Sequence, residues 1–280
     1  VWGTTFISTK ILLTDFQPVE ILFFRFVMVF LVLCAAAPKR LQTTGYKQEL
    51  TFVGAGLCGI CLYYLLENIA LTFTLASNVG VILSVAPFFT AILAQLFMRS
   101  EEKLRGQFFI GFIFAMVGII LISFNGSKLK LNPRGDLLAL IAALVWAVYS
   151  ILTRKIGSFG YPVILSTRRT FFYGILFMLP ALFLFDVRAD LSRFANMTYL
   201  FNILYLGLGT SALCFVTWNF AVKELGVVKT SVYIYMVSVI TVVTSVLISR
   251  EPLTRLSGIG VILTVPRLFL SEYKPKRKGK

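Results

Sequence analysis

The chain switches between long apolar blocks and short polar stretches. The blocks run to roughly 18–24 residues, long enough to cross a hydrocarbon core of about 30 Å as helix. Runs such as 108–124 do not alternate polar and apolar at every second position, as the strands of a membrane barrel must. The pattern predicts an all-α polytopic membrane protein with ten transmembrane helices, at 1–14, 18–37, 50–71, 77–98, 106–124, 135–154, 162–185, 198–222, 229–249 and 255–272. The first block would reach only about 21 Å as helix. The sequence also opens without a methionine, so the first turns of that helix are expected to be missing from it.

Composition narrows the class. Of the 280 residues, 58% are apolar and 14% charged, against about 45–50% and about 25% in a soluble domain, which excludes one. The net charge of +15 would suggest nucleic acid in a soluble protein. Here the basic residues sit in short loops and in the tail 274–280, as the positive-inside bias requires, and nucleic-acid binding is not expected. With the C-terminus in the cytoplasm, loops on that side hold fifteen Lys and Arg and the opposite loops seven, so both termini are predicted cytoplasmic. There is no histidine, which removes the commonest acid–base group and metal ligand. Cys34, Cys58, Cys61 and Cys214 all fall within apolar runs. The Cys58–Cys61 spacing therefore reads as buried thiols rather than a zinc or redox site. No cleavable signal peptide precedes a soluble domain.

The two halves repeat. Trp2, Lys10, Pro18 and Arg25 match Trp146, Arg154, Pro162 and Arg169 at one offset of 144. Asn68 and Ala70 match Asn219 and Ala221 at an offset of 151, and Glu102 and Gly111 match Glu251 and Gly260 at an offset of 149. Each half has five spans, an odd number, so the second must be inverted relative to the first. Inverted repeats are how many secondary transporters build two alternating faces around one midplane site. The expected organisation is a first five-helix repeat over 1–126, a second over 135–272 and a basic cytoplasmic tail over 273–280.

Several local motifs fall in a defined order. Trp2-Gly3-Thr4-Thr5-Phe6 opens span one, and Pro18 to Arg25 lie in span two. Glu67-Asn68-Ile69-Ala70-Leu71 follows, then Ala76-Ser77-Asn78 leading to Pro87, and Glu102-Lys103-Leu104 with Gly111 and Gly118. The second half holds Gly135-Asp136-Leu137-Leu138-Ala139, Tyr233-Ile234-Tyr235 and Glu251-Pro252-Leu253-Thr254 with Gly260. In these the chain resembles the EamA-like branch of the drug/metabolite transporter superfamily, the ten-helix carriers. The resemblance implies export or exchange of small metabolites, often amino acids, across the bacterial inner membrane, with no cofactor and no enzymatic activity. Three positions depart from the family pattern: Ser238 replaces a proline, and Pro266 and Arg267 replace small residues in the last span.

Polar groups inside spans should face protein or a wet cavity. Glu67 is the one acid well inside a span, with Tyr63 one turn before it on the same face. It either binds a substrate amine or a coupling proton, or caps and pairs near the span end, with Lys10 as partner. Trp2, Thr5 and Thr9 fall at i, i+3 and i+7, as do Trp146, Tyr149 and Thr153. Each set forms one helical stripe, which either lines a cavity that holds an apolar or cationic ligand or belongs to an interfacial aromatic belt. Trp218, the repeat counterpart of Glu67, is expected to face the same cavity. Ser231, Tyr235, Ser238 and Ser245 form a hydroxyl face on span nine, and Asn78 and Ser84 a weaker one on span four; helix contact is the competing role. Arg25 and Arg169, with Arg168 beside the latter, either bind a carboxylate or cap carbonyls at span ends. Gly54, Gly56 and Gly59, then Gly111 and Gly118, permit close helix approach.

No phosphate-binding glycine loop, catalytic triad or metal constellation is present. The expected function is a secondary transporter for a small-molecule substrate, amino-acid-like or aromatic, working by alternating access, with a proton as candidate coupling ion. A passive channel of the same fold and a non-transporting scaffold or lipid-handling protein are the alternatives. Either a monomer or a homodimer fits.

Overall fold

The structure is a computed structural model that describes residues 2–42, 45–74, 76–98, 109–110, 112–114, 116–117, 120, 132–185, 187, 190–237, 239–240 and 259. Among the described residues every regular element is helical. A short 3-10 turn, Trp2–Thr4, leads into α1 (Thr5–Leu12), followed by α2 (Pro18–Ala36) and α3 (Tyr46–Phe73). Then come α4 (Ala76–Leu83), α5 (Ala86–Phe97), α6 (Pro133–Gly157), α7 (Val163–Leu184), α8 (Met197–Leu225) and α9 (Val227–Val232). Among the described residues five stretches are long and apolar enough to cross a membrane: α2, α3, Val79–Phe97, α6 and α8. The 22-residue α7 carries the adjacent Arg168 and Arg169, which lower its hydropathy. Of the fifth predicted span, the few described residues between 109 and 120 are helical. Apart from Ile259 the tenth span, and the far part of the ninth, lie outside the described residues. So do Glu102, Gly111, Gly118, Ser238, Ser245, Glu251, Gly260, Pro266 and Arg267.

Local sequence explains where the helices begin and break. Pro18 opens α2 and Pro133 opens α6, positions where the missing N–H leaves no helix bond unmade. Asn132 and Asn196 cap α6 and α8 by accepting from the backbone N–H of Arg134 (3.2 Å) and Thr198 (2.9 Å). The predicted fourth span is two helices, because Pro87 cannot donate to the preceding turn and restarts the helix at Ala86. Both α3 and α8 widen into a π-helical stretch midway, at Gly56–Leu62 and Tyr205–Leu213.

α6 packs against α3, α4, α5 and α8, so it lies at the centre of the described helices. α7 packs on the wide turn of α3, and α2 packs on the wide turn of α8. Glycine makes the first approach possible: a Cβ on Gly56 would sit 2.7 Å from the Gly174 nitrogen and the Thr170 carbonyl oxygen of α7. Large apolar side chains cover the outside; Phe183 is 84% exposed and Phe201 69%, which suits lipid rather than water.

The start of α2 holds a buried ion pair. Glu20, 1% exposed, accepts Arg193 Nη2 on Oε1 (3.0 Å) and Arg193 Nη1 on Oε2 (3.1 Å). Glu20 Oε2 also accepts the Gln17 backbone N–H (2.8 Å), closing a capping box. The Arg193 guanidinium lies 4.2 Å from the Phe16 ring centroid and donates to the Asp15 carbonyl (2.9 Å). Nearby, bonds from Ser192 hold the Asp190 carboxyl below the usual carboxylate range. Glu20→Ala should cost about 1–2 kcal/mol, because it removes the cap and takes the carboxylate from a partly exposed guanidinium. Thermal unfolding in detergent checks this; an unchanged midpoint would show that the pair contributes nothing.

Candidate functional site

Residues from four places in the chain converge on the inner face of α6. That face carries small residues, Ala142, Ala143 and Ala147, which let the neighbouring helices come close, and Trp146 and Tyr149 among them. Trp2 comes from the turn before α1, Tyr63 and Tyr64 from α3, and Phe215 and Trp218 from α8. The Trp146 ring lies 4.7 Å from Tyr63, 5.1 Å from Tyr149, 5.4 Å from Trp218 and 5.7 Å from Trp2, centroid to centroid. Trp2 and Trp218 are 5.4 Å apart. All three tryptophans of the chain therefore stand in one aromatic cage.

The polar atoms around the cage divide into two sets. Some are fully used. Trp2 Nε1 donates to the Thr210 carbonyl (3.0 Å). The Tyr149 hydroxyl donates to Asn219 Oδ1 (2.8 Å), Asn219 Nδ2 donates to Thr167 Oγ1 (2.9 Å), and that hydroxyl donates to the Val163 carbonyl (2.8 Å). This chain of bonds ties α6, α8 and α7 together and fixes the Tyr149 ring. Beside it lies a cavity of about 20 Å³, room for one water, among Thr153, Ser166, Thr170, Asn219 and Lys223.

The second set is unspent. Glu67 Oε2, Trp146 Nε1 and Trp218 Nε1 are buried and have no hydrogen-bond partner in the structure. Such an atom costs roughly 1–3 kcal/mol, and each one calls for an explanation. The Tyr63 hydroxyl lies beside the Glu67 carboxyl. Arg25, 2% exposed, donates from Nε to Ser211 Oγ and from Nη2 to Thr210 Oγ1 (3.4 Å). Its guanidinium lies 4.6 Å from the Tyr64 ring centroid. Two indole donors and a carboxylate oxygen without partners thus lie around one cluster of aromatic rings. They can hold a small molecule with an apolar body and at least one polar or cationic group.

Of the residues singled out from sequence, the structure brings Trp2, Tyr63, Glu67, Trp146, Tyr149 and Trp218 together. Thr153 lies one turn along α6, at the small cavity. Three hydroxyls instead bond to backbone of their own segment: Thr5 to the Trp2 carbonyl (2.7 Å), Ser84 to Gly80 (2.8 Å) and Ser231 to Val228 (2.7 Å). Tyr235 packs in a separate cluster with Val232, Val81, Phe112 and Met236, its hydroxyl unpartnered. The side chains of Asn78 and Lys10 lie outside the described residues. Arg168 donates to the carbonyls of Ala37 and Lys39 (2.5 Å for the latter), as a span-end cap would. Arg169 pairs with Glu49 at 2.5 Å.

The EamA-like transporter family matches the chain over residues 1–124 and 133–271. The chain belongs to that family. Its relatives include an uncharacterised transporter of Archaeoglobus fulgidus, 25% identical over 98% of this chain and 94% of that protein. Another is the uncharacterised transporter YyaM of Bacillus subtilis, 26% identical over 94% and 87%. One solved crystal structure superposes with a TM-score of 0.78 at 19% identity, covering 99% of this chain and 94% of that one, which shows a shared fold. This EamA-like protein is a multi-pass membrane transporter, not an enzyme, with a small molecule as its substrate.

Three contributors to the cage in this EamA-like protein carry little signal in the sequence. Phe215 lies three residues before Trp218, so helical spacing could have joined them. Tyr64 is masked by its neighbour Tyr63. Asn219 had a signal, its repeat match to Asn68, but nothing in the sequence points it at Tyr149.

Proposed function

We propose that the protein is a secondary transporter that exports or exchanges small amphipathic metabolites, aromatic or amino-acid-like, by alternating access. Its two five-helix halves, 1–126 and 135–272, form inverted repeats with the substrate between them. Reciprocal packing supports the repeat. Gly56 faces residues 170, 173 and 174 of α7, while Gly207, 151 positions later, faces Arg25 and Met28 of α2. Shifted by 144, those α2 residues become 169 and 172. The π stretches also correspond, beginning 149 and ending 151 positions apart. Both termini lie in the cytoplasm, and the membrane is the bacterial inner membrane.

The observation that carries the function is the cage itself: buried rings from both halves around three polar atoms with no partner. A ligand's polar groups would satisfy these three atoms, which is the explanation their clustering on one set of rings supports. Glu67 supplies the negative charge that holds a substrate cation or a proton, whose uptake and release would couple transport to the proton gradient.

The test is counterflow of radiolabelled aromatic amino acids in proteoliposomes. Saturable uptake that is accelerated by unlabelled substrate inside is expected. Glu67→Gln should cut the rate at least about tenfold, the effect of losing one charge-assisted hydrogen bond of about 1.5–3 kcal/mol. Flux that stays linear with concentration and shows no counterflow would mean passive passage. No flux for any candidate, with Glu67→Gln indistinguishable from the parent, would remove both the substrate class and the role of Glu67.

A further inference from the structure

Glu67 and Arg25 are both buried at the cage, and they do not meet. Among the described residues no ion pair joins them. Separated, buried opposite charges are expensive, and pairing is the usual relief. Here each is held elsewhere. Glu67 projects from α3 beside Tyr63, and its Oε2 has no partner. Arg25 projects from α2 and rests on two neutral hydroxyls, Thr210 and Ser211, in the wide turn of α8. Those hydroxyls accept two of its five N–H donors and bring no negative charge. The remaining three find no acceptor among the described residues.

The two charges nevertheless flank the same wall. The guanidinium lies over Tyr64, Glu67 lies beside the Tyr63 hydroxyl, and the two tyrosine rings are 4.7 Å apart. Tyr63 in turn lies against Trp146. Thr210 links Arg25 to the cage from the other side, since its carbonyl accepts the Trp2 indole.

We infer that Arg25 and Glu67 are the two poles of one site. The guanidinium takes a ligand's carboxylate, Glu67 takes its ammonium group, and the cage takes its aromatic or apolar body. The assignment rests on the carrier function proposed above and narrows the substrate to dipolar molecules. It makes Arg25 a specificity-determining residue. A planar guanidinium with unspent donors matches a carboxylate's two oxygens, which a point-charge lysine does less well.

Because every tryptophan of the chain stands in the cage, intrinsic tryptophan fluorescence of the purified full chain reads binding without a label. Three probes separate the poles: phenylalanine carries both charges, phenethylamine only the cation and 3-phenylpropionate only the anion. In the parent protein phenylalanine should bind at least about tenfold more tightly than either half-probe, one charge-assisted contact being worth that much. Arg25→Gln should erase the advantage over phenethylamine while leaving phenethylamine affinity within about twofold; Glu67→Gln should erase the advantage over phenylpropionate. Arg25→Lys, which keeps the charge should Arg25→Gln fail to fold, is expected to restore part of it. If both half-probes match phenylalanine in the parent protein, the two-pole assignment is wrong and the aromatic carrier stands. If none of the three binds, the carrier reading for this substrate class falls and the assignment with it.

Discussion

Gly56→Ala should abolish the folded protein, or lower its thermal midpoint further than any single change outside the cage. A methyl group there would lie 2.7 Å from the Gly174 nitrogen and from the Thr170 carbonyl oxygen, both backbone atoms of α7 that no rotamer change can move. The added Cβ can be accommodated only by pushing α7 outward as a body. α7 also holds Thr167 at the end of the Tyr149–Asn219 chain and Arg169 against Glu49, so the displacement would spread. Overpacking typically costs about 1–3 kcal/mol, and a clash with backbone on two sides belongs at or above the top of that range. Gly80→Ala is the matched control: it is also helical and has nothing within 4 Å of the added atom. It should be neutral or slightly stabilising, since alanine favours helix by up to about 1 kcal/mol over glycine. Thermal unfolding and detergent-extractable yield measure both. Equal midpoints for the two variants would mean that α7 does not lie against α3 as described.

Trp146→Ala should cost substrate affinity more than any other change in the cage. Its ring is the common neighbour of Trp2, Tyr63, Tyr149, Phe215 and Trp218, and its Nε1 is one of the unspent donors. Two separable contributions are lost. The aromatic face gives roughly 1–2 kcal/mol toward a cationic or aromatic ligand, and the indole N–H about 1 kcal/mol as a hydrogen bond. Together they predict roughly a 30- to 150-fold rise in the apparent KM for transport. Trp146→Phe keeps a ring and removes the donor, so its rise should be only about fivefold. Initial-rate transport across a substrate series, normalised to reconstituted protein, separates the two. Variants that fold and transport with an unchanged KM would show that the substrate passes elsewhere.

The sequence carried the span pattern because lipid demands unbroken apolar runs, and the helices from α2 through α8 follow those runs closely. The cage aromatics were legible because tryptophan is rare, Trp2 and Trp146 stand 144 positions apart within matching sequence, and Trp218 stands 151 positions after Glu67. Tyr64 and Phe215 were not: with 27 phenylalanines and 11 tyrosines in the chain, one more aromatic residue stands out from nothing. The break between α4 and α5 had one sign, Pro87. The π stretches had none, since an extra residue in a turn leaves no mark in hydropathy. That also hid the environment of Arg25, because the Thr210–Ser211 ledge exists only where α8 widens. The hydroxyls of Thr5, Ser84 and Ser231 share a helical face on paper, but each is drawn to a carbonyl of its own segment, the commonest fate of serine and threonine in apolar helices.

Those widened turns have a mechanical consequence. Each stores one residue more than regular α-helix needs, as slack in an otherwise taut rod. Tyr63 and Glu67 follow directly after the slack in α3, and Phe215 and Trp218 directly after that in α8. Releasing it would rotate the downstream segment by one residue's worth of helix, about 100°. That swing would carry the carboxylate and the indole away from their neighbours together, in a single discrete step like the click of a ratchet, without unwinding either helix.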